Sequence, residues 1–395
     1  MKNVVRNVVQ VQCGLYVILV LISSCTSGAK RVMPEINIEN GKAELKQMNL
    51  SAIADSISYV KLSTPDSVYL SDNLNIKLYE THILIFDKST KGVFLFDRAG
   101  NYIRSISSIG EKDIEYLEAV DCVADEKNKV IYILDIGQQK VATFSFSGNF
   151  IGSFKIPGFP LSIIFKNDSF FFITPSCGKS HQKRWPDIYK TDLNGKVVRE
   201  FMHNEEYVQN RLANYSTYVY KDTLTFWQQS SDTIFYIDAD LKMVPKYIIK
   251  DKDLMPKSKL FSTKVRNFLG QHFVIDKIIE TEHFCYFEGI YKLHDAVIIH
   301  NKLTGENFNL LYNLDIWDHG FLNDLDGGPP FRPQFQSNEK VLYSYLKPRD
   351  FLNVYEHPYT QNIKALHKDW RHKLGVLAKK IDLKDNGIIQ IVYLK

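Results

Sequence analysis

Apolar and polar positions along this chain fall into short alternating runs, and one arrangement of runs is used twice. Residues 83–106 read apolar strand, polar turn, apolar strand, Gly-Asn turn, apolar strand, and residues 130–154 repeat that order. A shift of 48 positions superposes the two without a gap: Asp87 falls on Asp135, Val93 on Val141, Phe96 on Phe144, Gly100 on Gly148, Asn101 on Asn149 and Ile103 on Ile151. A strand-rich unit recurring at that period is the mark of an array, and a β-propeller built from four-stranded blades is the first expectation. The first blade takes residues 75–80, 82–87, 92–97 and 102–107, and the second takes 118–126, 129–135, 140–146 and 150–156. Ala99-Gly100-Asn101 and Ser147-Gly148-Asn149 supply the turns, glycine accepting the positive φ that a hairpin loop needs.

The pattern then decays but stays readable. A third blade spans 160–203 with Gly195 in its turn, a fourth spans 216–250 with the turn Asp238-Ala239-Asp240-Leu241-Lys242, and a fifth spans 273–313 with Gly305. The sixth is irregular, using 319–337 and 340–347. Residues 361–381 break the strand rhythm: Ile363, Leu366, Trp370, Leu374 and Leu377 recur at three and four, which predicts a helix. Its other face carries Lys364, Lys368, Arg371, Lys373, Lys379 and Lys380. After the turn Asp385-Asn386-Gly387 a last strand, 388–394, ends the chain. The sixth blade then has three strands, and the isolated strand 56–63 completes it. The expected fold is all-β: a six-bladed β-propeller over 50–395, closed by N- and C-terminal strands sharing the last blade, with a helical insertion at about 349–381. Residues 1–24 are expected to be a signal peptide and 25–49 a linker.

The N-terminus suggests a cell address. Lys2 and Arg6 precede a mostly apolar run over 8–22, the order of a secretory leader, and Gln10, Gln12 and Gly14 interrupt it too often for a spanning helix. The run ends in Leu21-Ile22-Ser23-Ser24-Cys25, which looks like a bacterial lipobox, though Ile22 stands where leucine is usual. Small residues before Cys25 admit the peptidase, and the thiol would carry the acyl chains that anchor a folded domain to a membrane. With Thr26 after it, and no acidic run following, the expected destination is the outer membrane, facing the periplasm.

Composition changes the picture little. The charge is nearly balanced at +4, and nothing in it calls for nucleic acid. Aromatic residues make up 13%, favouring strands. Beyond residue 25 only Cys122, Cys177 and Cys285 remain, without metal-ligand spacing, and they read as buried small hydrophobes.

At this point the residues resemble a family. The lipobox, the repeated "apolar strand–Asp–polar turn–apolar strand–Gly-Asn" unit, Ser107-Ser108-Ile109-Gly110-Glu111 with Asp121 beyond it, Asp326-Gly327-Gly328-Pro329-Pro330-Phe331 and the closing 385–395 are similar to the six-bladed β-propeller lipoproteins of Bacteroidetes, relatives of the NHL-type propellers. The likeness covers roughly residues 50–395. It implies architecture more than activity, because members of that family generally have no assigned reaction.

No catalytic motif is evident. GxSxG and HExxH are both missing, and His283, His294 and His300, like His367 and His372, lack ligand spacing. Asp315, Asp318, His319, Asp324 and Asp326 form the most acidic patch and are the candidates for a hard cation such as Ca²⁺, although no cofactor is expected. Trp185 and Trp317 are candidate stacking groups for a sugar or peptide. Asp87 and Asp135 recur at strand ends and are read as turn residues. The leading expectation is a lipid-anchored envelope propeller that binds a protein, peptide or glycan without chemistry of its own. The rivals are a metal-dependent hydrolase, lactonase or lyase acting in the channel, and a structural subunit of an outer-membrane assembly that docks through the helical insertion.

Overall fold

The computed structural model describes residues 33–66, 68–174, 186–201, 215–260, 266–310, 312–313 and 318–395. Within Pro34–Lys395, six sheets form the blades of a β-propeller; the first five are each built on four consecutive strands, and the sixth takes three consecutive strands and one from the N-terminal side. The innermost strands are Leu74–Leu78, Ala119–Asp125, Ser162–Lys166, Tyr215–Tyr220, Phe273–Glu280 and Phe335–Asn338.

The hydrophobic rhythm follows from how blades stack. A middle strand is covered on both faces, so it reads as an unbroken apolar run rather than an alternation. In His82–Asp87, Ile83 and Ile85 point into the core shared with the sixth blade, while Leu84 and Phe86 point into the core shared with the second. Outer strands such as Tyr102–Ser105 and Phe150–Lys155 have one wet face and alternate. The core is accordingly divided into apolar clusters between neighbouring blades, one at each of the six junctions.

The turn residues behave as the repeat implies. Gly100, Gly148, Gly195 and Gly305 all have φ between 73° and 90°. In the fourth blade, where the glycine is gone, Leu241 holds φ 56°, a conformation that strains any residue with a Cβ. Asp87 and Asp135 also do more than cap their own turns. Asp87 accepts from the amides of Ser89 and Thr90 and from Ser71 N and Oγ at 2.7–2.8 Å. Asp135 accepts from Gly137 and Gln138 and from Leu117 and Glu118. Each carboxylate thus ties a hairpin turn to the chain entering the same blade.

The sixth blade is built from both ends of the chain. Ile388–Leu394 pairs with Val341–Leu346 on one side and with Ala54–Lys61 on the other, Tyr59 opposite Gln390. Asn386 locks the seam. Its amide nitrogen donates to the carbonyls of Ser63 and Val68, both at 2.9 Å, and its Oδ1 accepts from Leu70 N at 2.9 Å.

Two expectations need correction. Residues 34–49 are no free linker: Glu35–Asn37 adds a parallel fifth strand to the fourth blade, and Leu45–Lys46 adds one to the fifth. Between them Lys42 is buried, its ammonium paired with Asp251 and, at 2.8 Å, with Asp253. The N-terminal segment is therefore a strap across the outer edges of blades four and five before it closes blade six. The second correction concerns the insertion, which is three helices, Pro348–Glu356, Pro358–Gln361 and Lys368–Ala378, and not one over 361–381. The break comes where Leu366 N and His367 N donate to the carbonyls of Asp324 and Leu325 instead of to a preceding helical turn. Phe351, Leu374 and Ala378 pack with Ile388 and Tyr59 on the sixth blade.

Asn386→Ala removes three buried or partly buried hydrogen bonds at the seam and leaves the carbonyls and amide they served without that partner. Urea unfolding should show a loss of about 3 kcal/mol in a single cooperative transition. A loss within the noise of a surface substitution would mean the seam is held elsewhere.

Candidate functional site

All inner strands begin at one mouth of the central channel, and this fixes which connections lie at which end. On the far face the turns are two to five residues long throughout. On the mouth face lie the links between blades, such as 62–73, 106–118 and 251–272, and the three-helix insertion at 347–387. The elaboration of the chain is confined to one face. Tight turns hold a scaffold, whereas long connections supply contact surface.

The channel opens there as a cavity of about 1680 Å³. Its wall carries two built charge clusters. On one side a β-bulge between Ala119 and Asp121 lets Asp121 reach both neighbouring blades. Its Oδ1 accepts from Asn75 Nδ2 at 2.9 Å and Lys77 Nζ at 2.8 Å, and its Oδ2 accepts from Ser162 Oγ at 2.8 Å and Ile163 N at 3.0 Å. One buried carboxylate therefore joins the inner strands of blades one, two and three.

Across the channel a second bulge, between Ile275 and Lys277, serves blades five and six. Gly289 sits opposite it because a Cβ there would lie 2.0 Å from the Val274 carbonyl oxygen. Lys277 Nζ reaches Glu288 at 3.1 Å and donates to the Gln334 carbonyl at 3.1 Å. Arg332 also pairs with Glu288, and its other arm lies 3.7 Å from Asp295. Burial pushes the Glu288 carboxyl up, but the two cations outweigh it and hold the group below its ordinary range.

The links on this face also expose apolar side chains that do not line the cavity. Tyr69, Ile109, Ile114, Leu117 and Phe159, in the links that lead into blades one, two and three, are 45–64% exposed. Exposed apolar side chains in long connections are available for contact.

The sequence candidates are distributed differently. Cys25, Cys177, Trp185, Asp315 and Trp317 lie outside the described residues, as do the side chains of Asp318 and His319. Asp324 and Asp326 are buried, away from the channel. Asp324 accepts from Ser51 N and Oγ, and Asp326 accepts from Asn323 Nδ2 at 2.7 Å and Gly328 N at 2.9 Å, with Tyr59 Oη at 3.3 Å. They dock the N-terminal strand and the insertion on the link before blade six. Burial raises the Asp326 carboxyl above its ordinary value. Among the described residues, no three His, Cys, Asp or Glu side chains come together as a metal site. Cys122 and Cys285 are buried, and burial pushes the Cys285 thiol up to about 12. Composition and spacing missed Asp121 and the Lys277–Glu288–Arg332 cluster as site residues. An acid inside the otherwise apolar inner strand, Ala119-Val120-Asp121-Cys122-Val123, was the available signal.

The fold and this site define a six-bladed propeller with one elaborated, open mouth. The chain belongs to the family described as a domain of unknown function, DUF4934, whose model matches residues 33–393. No curated protein matches the sequence. The fold is shared with a Bacteroides fragilis protein assigned to export by name, at a TM-score of 0.68 and 18% identity over 91% of this chain and 99% of that one. A DUF4221 family member from Bacteroides vulgatus matches at a TM-score of 0.51 and 12% identity, over 90% and 99% of the two chains. At these identities the likeness is one of fold.

Glu288 gives a pH test. Its folded carboxyl is held low, so the stability it contributes is complete above the unfolded value near 4.5 and is lost as pH falls through the folded one. Arg332→Met should raise the carboxyl and flatten the acid limb of stability between about pH 5 and pH 3. Urea midpoints measured across that range should differ between variant and parent in slope. Parallel curves would show that Arg332 does not set the Glu288 ionisation.

Proposed function

We propose that this chain is a lipid-anchored envelope propeller, of the NHL-related kind, that binds a protein, peptide or glycan ligand at the mouth of its channel. The observation that carries the reading is the one-sidedness of the molecule: a large open cavity with two fixed charge clusters on its wall, on the face where, among the described residues, the long connections and their exposed apolar side chains lie. A cavity of this size exceeds that of a usual small-molecule pocket, which favours an extended or macromolecular ligand. The N-terminal pattern around Cys25 supports the anchor, and the named export of the Bacteroides fragilis relative is consistent with an outer-membrane address facing the periplasm.

Binding at the mouth is tested by thermal shift against a panel of peptides and glycans, with Thr217→Trp as a plug on the inner strand of blade four. A ligand that raises Tm in the parent should lose that effect in the plugged variant. An undiminished shift would place its site elsewhere. For the anchor, cells fed a clickable fatty acid should label the parent and fail to label Cys25→Ala; label on the variant would overturn it. The reading needs no resident metal. Elemental analysis of the purified chain should give far less than one equivalent of Ca²⁺ or Zn²⁺, and a stoichiometric metal would favour the hydrolase or lyase instead.

A further inference from the structure

The insertion carries a charge the rest of the chain does not share. Residues 347–387 contain nine Lys and Arg against five Asp and Glu, a net of +4, in a chain whose total is +4. The remainder is therefore close to neutral, and the cationic character of the protein is concentrated in one tenth of its length.

The helix Lys368–Ala378 shows how that charge is displayed. Leu374 and Ala378 face the sixth blade and are buried. Half a turn away, the opposite face is set by helical spacing. Lys368, His372, Val376 and Lys379 recur at four, four and three on one flank, and Lys373, Val376 and Lys380 at three and four on the other. Lys368, His372, Lys373, Val376, Lys379 and Lys380 are all exposed, with Val376 at the centre. Asp369 is the acid among them. Leu366, before the helix, and Leu383, after it, are each 61% exposed. Among the described residues, Lys364, Lys368, Lys373, Lys379, Lys380 and Lys384 have no carboxylate within 4.0 Å.

We propose that this face of the insertion lies on an anionic phospholipid surface. Three features choose lipid over an acidic protein. The cations are lysines, compact point charges that suit a diffuse layer of phosphates, whereas bidentate recognition of a fixed carboxylate favours arginine. The exposed aliphatics are single and interleaved with the lysines and do not form one contiguous hot-spot patch, so attraction at the level of the headgroups rests on charge. The face is also dominated by one sign, with Asp369 its acid, which a charged bilayer matches and a mixed-charge protein face does not. The assignment does not depend on acylation at Cys25. Where the anchor is present, the insertion supplies a second attachment, and it would orient the propeller relative to the membrane.

The test uses the full chain with Cys25→Ala, so that no acyl chain contributes, and vesicles of phosphatidylcholine with or without about one third phosphatidylglycerol. Each lysine near an anionic surface strengthens attraction roughly fivefold. The chain should sediment with anionic vesicles and much less with neutral ones, and raising salt from about 0.1 M to 0.5 M should release it. Lys368→Gln, Lys373→Gln, Lys379→Gln and Lys380→Gln combined should weaken that binding by about 100-fold or more with thermal unfolding unchanged. If the quadruple variant is destabilised, the single Val376→Asp, at an exposed position, serves as the second probe and should weaken binding several-fold. Equal binding to both vesicle types, or undiminished binding by the folded variants, overturns the proposal. Retention on a polyglutamate resin without vesicle binding would overturn it in favour of an acidic protein partner.

Discussion

A ring of sheets holds only if its last edge is paired, and here one antiparallel seam carries that requirement. Ala54–Lys61 against Ile388–Leu394 joins residues from opposite ends of the chain, so its closure entropy is met late and only when the five intervening blades are in place. The surroundings of the seam are arranged to secure it. Asn386 ties the chain leaving it, the Asp324 and Asp326 carboxylates hold Ser51 and Tyr59 on either side of its start, and the strap over blades four and five delivers the N-terminal strand already positioned. Lys42 fixes that strap through a buried ion pair whose rupture would strand a charge in the interior.

From that closure follows the division between the two faces. With every strand direction fixed, the far face needs only tight turns, and hairpins with a left-handed glycine supply them in four blades. The mouth face is free to vary. There the chain places the links with exposed Tyr69, Ile114 and Phe159, the bulges that aim Asp121 and Lys277 at neighbouring blades, and the basic insertion. The charge clusters stabilise adjacent blades and also decorate the channel wall, so rigidity and recognition draw on the same residues.

The architecture was legible in the sequence because its determinants are local. Runs such as 83–86 are buried on both faces and periodic, and glycine at 100, 148, 195 and 305 marks a backbone conformation that few other residues tolerate. The shared last blade could be inferred from counting strands, since an unpaired edge is costly. The strap was not legible. Glu35–Asn37 and Leu45–Lys46 are too short and too polar to show a period, and they become strands only because an outer edge is already there. The insertion misled for a related reason: its apolar spacing is helical, but the backbone of Leu366 and His367 bonds to a distant loop that no local pattern reveals. Asp121 was visible as an acid in an apolar strand. Its partners, Lys77 and Ser162, come from other blades, and a single sequence does not align them.

The ring depends most on the N-terminal strand Ala54–Lys61 being an integral member of the last blade. Native-state hydrogen exchange measures this directly. The amides of Ser58 and Val60 should exchange as slowly as those of Ile131 and Ile133 in the middle of blade two, opening only with the whole propeller. Early, independent exchange of Ser58 and Val60 while blade two stays protected would mean that the ring stands without its N-terminal strand.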